Sequence, residues 1–246
     1  MNAFRKILTL LALLLFLAGL AYALYPTVNG AVITQSAAYT AEVFRNKTEI
    51  VQAFTPTVSD AEIIEVPYAD LRAAMEDYNA RIHAEEQAGL CDAWAYQEPS
   101  FDLTEYGVED GVIGVISIPA LDIELPIYLG ATYDNMAKGA VHLSQTSLPI
   151  GGKNTNCVIA GHCGWNGADF FRYLKDLQPG DTVFVTNLWE TLTYTVCDTR
   201  IIDPNDIEEI LIQDGRDMLT LLTCHPYGSG GRYRYIVYCT RTNTTF

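Results

Sequence analysis

The chain opens on an unbroken apolar run. After Arg5 and Lys6 no charged residue occurs until Glu42, and residues 7–24, "ILTLLALLLFLAGLAYAL", number 18. As a helix these rise about 27 Å, close to the ~30 Å hydrocarbon core of a bilayer. A cleaved signal peptide has a similar charged start, but its apolar part is usually shorter. The small-residue stretch "AYA" at 21–23 is only a fair cleavage site. An uncleaved signal anchor over 1–30 is therefore the expectation. The positive-inside rule puts Arg5 and Lys6 in the cytoplasm and the rest of the chain outside.

Further along, the pattern changes period. Residues 25–60 are polar and rich in Thr and Ala, with a moderate helical tendency; 31–66 reads as an extracellular linker. In "YADLRAAMEDYNARIHAEE", 68–86, Leu71, Met75, Tyr78 and Ile82 recur at three- and four-residue spacing, which predicts an amphipathic helix. Residues 90–107 show no period and read as a long connection, a place where function concentrates. Helix and connection together make a segment over 67–110. From Gly111 the texture is β-branched. "GVIGVISIPALDIELPIYLG" is broken by Pro119 and Pro126. "NCVIAGHC", "DTVFVT", "LTYTVCDTRII", "DMLTLLTC" and "RYRYIVYCTR" read as strands. "ADFFRYLKDLQPGD" reads as a short helix ended by Pro179-Gly180. Many short strands with few helices predict a mainly β fold, closed or nearly closed into a barrel, over 111–246.

Composition narrows the partners. Hydrophobic residues make up 49% of the 246, enough for a sizeable core, and the net charge of −15 argues against nucleic-acid binding. It suits a plain acidic domain or one that attracts a lysine-bearing partner. Six cysteines, Cys91, Cys157, Cys163, Cys197, Cys224 and Cys239, invite a disulfide reading in an exported chain. Their spacing is wide, no CxxC occurs, and a domain of this size does not need bridges.

The chemistry concentrates in "TLLTCHPYGSGGRYRY", 220–235. Cys224 ends an apolar run and is open to three readings: core thiol, metal ligand or nucleophile. A nucleophilic cysteine needs a base or a cation beside it. His225 follows directly and points to the other face of an extended chain. His162 ends the strand "CVIAGH" in a Gly-flanked turn, where a side chain can enter a cleft. Arg232 and Arg234 begin the next strand after the loop and, two apart, share a face; a guanidinium could hold a developing oxyanion. Zinc is disfavoured, because the neighbours in His162-Cys163 and in Cys224-His225 point to opposite faces.

These residues carry a resemblance. "TLLTC" with "PYG" after it, "GAVHLSQTSLPIGGKNTNCVIAGH", "FFRYLKDLQPGD" and "IPALDIELPIYLG" together resemble the sortase family, in detail the class C, pilin-assembling sortases of Gram-positive bacteria. The likeness covers about 68–241. It implies a closed eight-stranded sortase barrel, preceded by the membrane helix and a helical, lid-bearing segment. It also implies transpeptidation without a cofactor: Cys224 attacks the Thr–Gly bond of an LPXTG-like sorting signal in a pilin or surface protein. His162 is then the acid/base partner and Arg234 the oxyanion clamp, with Arg232 the alternative. A lysine amine of a neighbouring pilin resolves the thioester. The family's lid maps onto Asp92 and Trp94. Two features depart from the pattern: Cys163 stands where Arg often follows the histidine, and no second apolar run supplies the C-terminal membrane helix of many pilin sortases. The implied alternatives are attachment of surface proteins to peptidoglycan, or a non-catalytic binding barrel.

Overall fold

The first helix does not stop where its apolar run stops. A computed structural model of the protein, describing residues 2–53, 67–90, 97–100 and 102–242, carries α1 (Asn2–Ala53) as one element. It is long and apolar enough to cross a membrane, with a mean hydropathy of 2.6 over its most apolar stretch. Beyond that stretch one face turns inward: Ala37, Ala41, Phe44, Thr48 and Val51 are buried, at the three- and four-residue spacing of a helix stripe. Thr48 Oγ1 donates to Asn187 O at 3.1 Å, and Arg45 Nη2 lies 2.7 Å from Glu124 Oε2. The linker expected over 31–66 is therefore helical in its described part. Tertiary burial of this stripe overrides a propensity that Thr, Tyr and Gly keep modest.

α2 (Ala69–Ala84) buries the four residues that its spacing selects, Leu71, Met75, Tyr78 and Ile82, and also Asn79. Asn79 accepts from Leu148 N at 2.7 Å and donates to Leu148 O at 3.4 Å. The Tyr78 hydroxyl accepts from Gln145 N at 2.9 Å. These three bonds hold the helix against the loop over residues 143–154.

The barrel strands are β1 (Val112–Ile118), β2 (Ile123–Leu129), β3 (Ala140–His142), β4 (Thr155–Ala160), β7 (Thr182–Thr186), β8 (Thr191–Ile202), β9 (Asp217–His225) and β10 (Tyr233–Arg241). They close in the order β1-β2-β3-β4-β9-β10-β8-β7, so that no edge is left open. β2 pairs with β3, and β4 with β9, in parallel. Pro126 sits inside β2 without cost to that pairing, which begins only at Ile127. β7 alternates buried and half-buried positions, whereas every residue of β4 is buried. The outer side of β4 is covered, because Asn156 Nδ2 donates to Ile210 O at 2.9 Å.

A two-stranded hairpin, β5 (Cys163–Trp165) and β6 (Ala168–Phe170), stands beside the barrel. It replaces the start of the helix expected over 168–181, of which only a 3-10 turn, Leu174–Asp176, forms. Phe171 N donates to His162 O at 3.0 Å, which ties the chain after β6 back to the end of the strand that carries the imidazole. Phe170, Phe171 and Leu174 are all buried by this arrangement.

β3 and its loop enclose His142 completely. Its Nε2 lies 3.0 Å from Ser147 O and 3.2 Å from Thr146 O. Burial, opposed by these two carbonyls, lowers its pKa from 6.5 to about 4. The folded state thus holds the neutral ring, while the unfolded chain takes up a proton near 6.5. Stability from this group is complete above pH 6.5 and is lost as the pH falls towards 4, by ~3 kcal/mol in all. Urea unfolding at pH 7 and at pH 4.5 measures it. The His142→Gln variant is expected to lose distinctly less stability over that interval than the parent.

Candidate active site

β9 brings the thiol to the rim. Cys224 is its penultimate residue and half-buried. Directly across the ladder on β10 stands Arg234, 4% exposed, with Nη1 3.9 Å from Cys224 Sγ. The same nitrogen donates to Gly231 O at 2.6 Å and to Tyr233 O at 3.2 Å. Those bonds aim the guanidinium at the sulfur. Arg232 does not share the strand face expected of it. β10 starts only at Tyr233, since Gly228, Gly230 and Gly231 all hold left-handed φ and keep the chain in its loop. Arg232 is exposed and lies over the Tyr233 ring at 5.6 Å.

β4 brings the imidazole to the same rim. Its last pair with β9 is Ala160 with Leu222, and Gly161 N continues the ladder to Leu222 O at 3.1 Å. Thr223 Oγ1 then donates to Gly161 O at 2.8 Å. His162 lies two residues beyond Ala160, and Cys224 two beyond Leu222, so the parallel register sets them level. The His162 ring stacks on Trp165, 4.5 Å between centroids and 11° between planes. His225 instead meets Tyr235, with centroids 5.8 Å apart.

Burial governs the charge states. It lowers the His162 pKa. It raises that of Cys224; the Arg234 charge opposes this in part, and the neighbouring Cys163 adds to it. At rest the two groups are therefore neutral thiol and neutral imidazole at pH 7. The Cys163 thiol is raised by burial and lowered by Arg172, by a hydrogen bond to Thr223 and by Lys175. Cys157, Cys163, Cys197, Cys224 and Cys239 are all free. Cys91, Asp92 and Trp94 lie outside the described residues.

Sequence reasoning passed over two residues at the rim. One is Trp165, the stacking partner of the imidazole. The other is Gly231, at φ +82°, where a Cβ would lie 3.1 Å from Arg234 Nη1 and 3.3 Å from Cys224 Sγ. The left-handed backbone angle favours glycine there, and a methyl group would press on both side chains. The run of glycines in "YGSGGR" was the available signal, and it says only that the loop turns.

A closed barrel with thiol, guanidinium and imidazole on one rim is the frame of a cysteine acyl-transfer enzyme. Residues 116–242 match the family model described as the sortase domain. Sortase D of Bacillus subtilis is 32% identical over 127 residues, 51% of this chain and 61% of that protein. Sortase A of Listeria monocytogenes is 30% identical over 117 residues, 47% of this chain and 50% of that protein. The chain thus spans about half to three-fifths of the curated relatives it matches. Among solved structures, sortase C-1 from Actinomyces oris is 35% identical with a TM-score of 0.63, covering 71% of this chain and 97% of that one. The pilus-related sortase C of Group B Streptococcus is 28% identical with a TM-score of 0.68, covering 83% and 97%. This chain belongs to the sortase family, and its structural likeness within the family is to class C.

Two predictions follow the geometry of the rim. Alkylation of Cys224 by iodoacetamide, followed by mass spectrometry from pH 6 upward, is expected to show a midpoint above the ordinary thiol value of 9.0. Arg234→Ala moves that midpoint higher still; Arg232→Ala leaves it where it was. Separately, Gly231→Ala is expected to slow alkylation at every pH, because the new methyl group crowds the sulfur.

Proposed function

We propose that this protein is a membrane-anchored transpeptidase that joins pilin subunits. The observation that carries the reading is the cross-strand pair of Cys224 and a buried Arg234, level with His162. Cys224 gives its thiol proton to His162 and attacks the Thr carbonyl carbon of an LPXTG-like sorting signal. Arg234, held by two carbonyls, donates to the oxygen as it gains charge, where preorganised donors are most effective. His162 protonates the departing Gly amine, and a thioester remains on Cys224. A lysine amine of the next pilin gives a proton to His162 and attacks the thioester; the departing sulfur takes that proton from His162, which leaves an amide and restores the thiol. One amide replaces another, so no energy source is required. The acidic barrel suits an incoming ammonium. The catalytic domain lies outside the cell and α1 holds it to the membrane. Asp92 and Trp94 keep their proposed part as a lid on the resemblance alone; Trp94→Ala should speed alkylation of Cys224.

A sorting-signal peptide and intact-mass detection test this. The parent chain is expected to gain the mass of the acyl fragment, and Cys224→Ala to gain none. Adding a lysine-bearing pilin domain yields the branched product. Arg234→Ala is expected to lose about 10²–10³ in turnover, and Arg232→Ala to stay near the parent. Transfer to a peptidoglycan amine and never to pilin lysine would assign the anchoring role instead. Absence of any thioester would leave only a binding barrel.

A further inference from the structure

Where α1 leaves its apolar run, it meets the hairpin that follows the imidazole. Tyr22 and Tyr25 end the run, 84% and 61% exposed; tyrosines at the end of an apolar span mark a membrane–water interface. One turn on, Asn29 Nδ2 donates to Asn166 O at 3.1 Å. A Cβ on Gly30 would overlap the Gly167 backbone, and one on Gly167 the Pro26 carbonyl. Helix and hairpin tip are in direct contact there. Asn29 lies five residues past Leu24, about 7–8 Å along the helix axis. The headgroup layer on each side of a bilayer is roughly 5–7 Å deep. With α1 upright, the β5–β6 tip stands at the outer margin of that layer.

The side chains around the tip suit this depth. Among the described residues beyond α1, the exposed large apolar side chains are Tyr133, Tyr173, Ile201 and Tyr227. Three of the four adjoin the hairpin. Tyr133 meets Trp165 edge-on, centroids 6.1 Å apart. The Arg172 guanidinium lies 5.6 Å from the Tyr173 ring and 4.3 Å from that of Tyr227. Tyr173 also lines, with Gly30 and Gly167, the cleft between α1 and the barrel. Scattered exposed aromatics need no explanation, whereas a cluster beside the exit of a span does. Arg172 is paired with Asp169 at 3.2 Å, so the patch is locally near neutral.

We propose that this aromatic patch, Tyr133, Trp165, Tyr173 and Tyr227 around Arg172, rests in the headgroup layer of the bilayer that α1 spans. The rim bearing Cys224 then works at the lipid surface, and the sorting signal is met beside its own membrane anchor. The partner is a zwitterionic lipid surface. Tyrosine and tryptophan rings supply the affinity, and a net charge of −15 gains nothing from anionic lipid. The inference rests on the reading of α1 as a membrane span.

Depth-dependent quenching tests both readings separately. The full chain is placed in phosphatidylcholine nanodiscs with a nitroxide on the headgroup or at mid-chain. Trp165 is the only tryptophan of a W94F/W189F variant. A second variant, Y25W with W94F, W165F and W189F, reports α1. Both are expected to lose emission to the headgroup label and not to the mid-chain label, equally at low and high salt. Replacing Tyr173 and Tyr227 with Ser should restore much of the Trp165 emission. Quenching in Y25W with none at Trp165 overturns the proposal and leaves the span standing. No quenching in either shows that α1 does not span the bilayer, and both readings fall.

Discussion

The rim that carries Cys224 depends on the register in which β9 lies between β4 and β10. A slip of one residue would turn Cys224 to the other face and remove Arg234 from its side. Two buried threonines hold the register. Thr220 Oγ1 donates to Asn156 Oδ1 at 2.8 Å, and Thr223 Oγ1 to Gly161 O at 2.8 Å. Both bonds run to β4 or the residue that follows it, and each would leave an unpaired polar group in the core if the strand slipped. The threonines of "TLLTC" are thus alignment pins, spaced so that the cysteine stops level with His162.

The same packing sets the limits of reactivity. A thiol half-buried at a barrel rim is protected from casual chemistry because burial disfavours its thiolate. Arg234 recovers part of that loss without being free to leave, since Gly231 O and Tyr233 O hold Nη1. Cys157 and Cys239 show the other extreme: buried in the core, with their pKa values pushed far up by desolvation, they are inert packing.

Much of this was legible in the chain. Alternation and β-branching located the long strands, and the spacing of Leu71, Met75, Tyr78 and Ile82 located α2 with its buried face. The ordered motifs singled out Cys224 and His162. Other features were not legible because they are made at a distance. The inward stripe of α1 has meaning only once β1 and β2 exist to receive it. Three-residue strands such as β3, β5 and β6 are too short for a period to be seen. Which of Arg232 and Arg234 lies beside Cys224 turns on where a glycine loop ends, and that follows from left-handed backbone angles that side-chain pattern does not encode. Trp165 could not be tied to His162 before the hairpin folded one over the other.

The unbroken helix from apolar run to barrel has an entropic consequence. A flexible tether would let the barrel sample many heights and tilts, and every encounter at the surface would have to freeze them out. α1, packed through Phe44 and Val51 and bonded through Thr48, has already lost that freedom during folding. It acts as a ruler with a graduation of 1.5 Å per residue. With α1 as the proposed membrane span, the height of the thiol above the lipid becomes a property written in residue count. Adding one helical turn before Pro26 would raise the whole rim by about 5 Å, while every contact within the barrel stayed as it is.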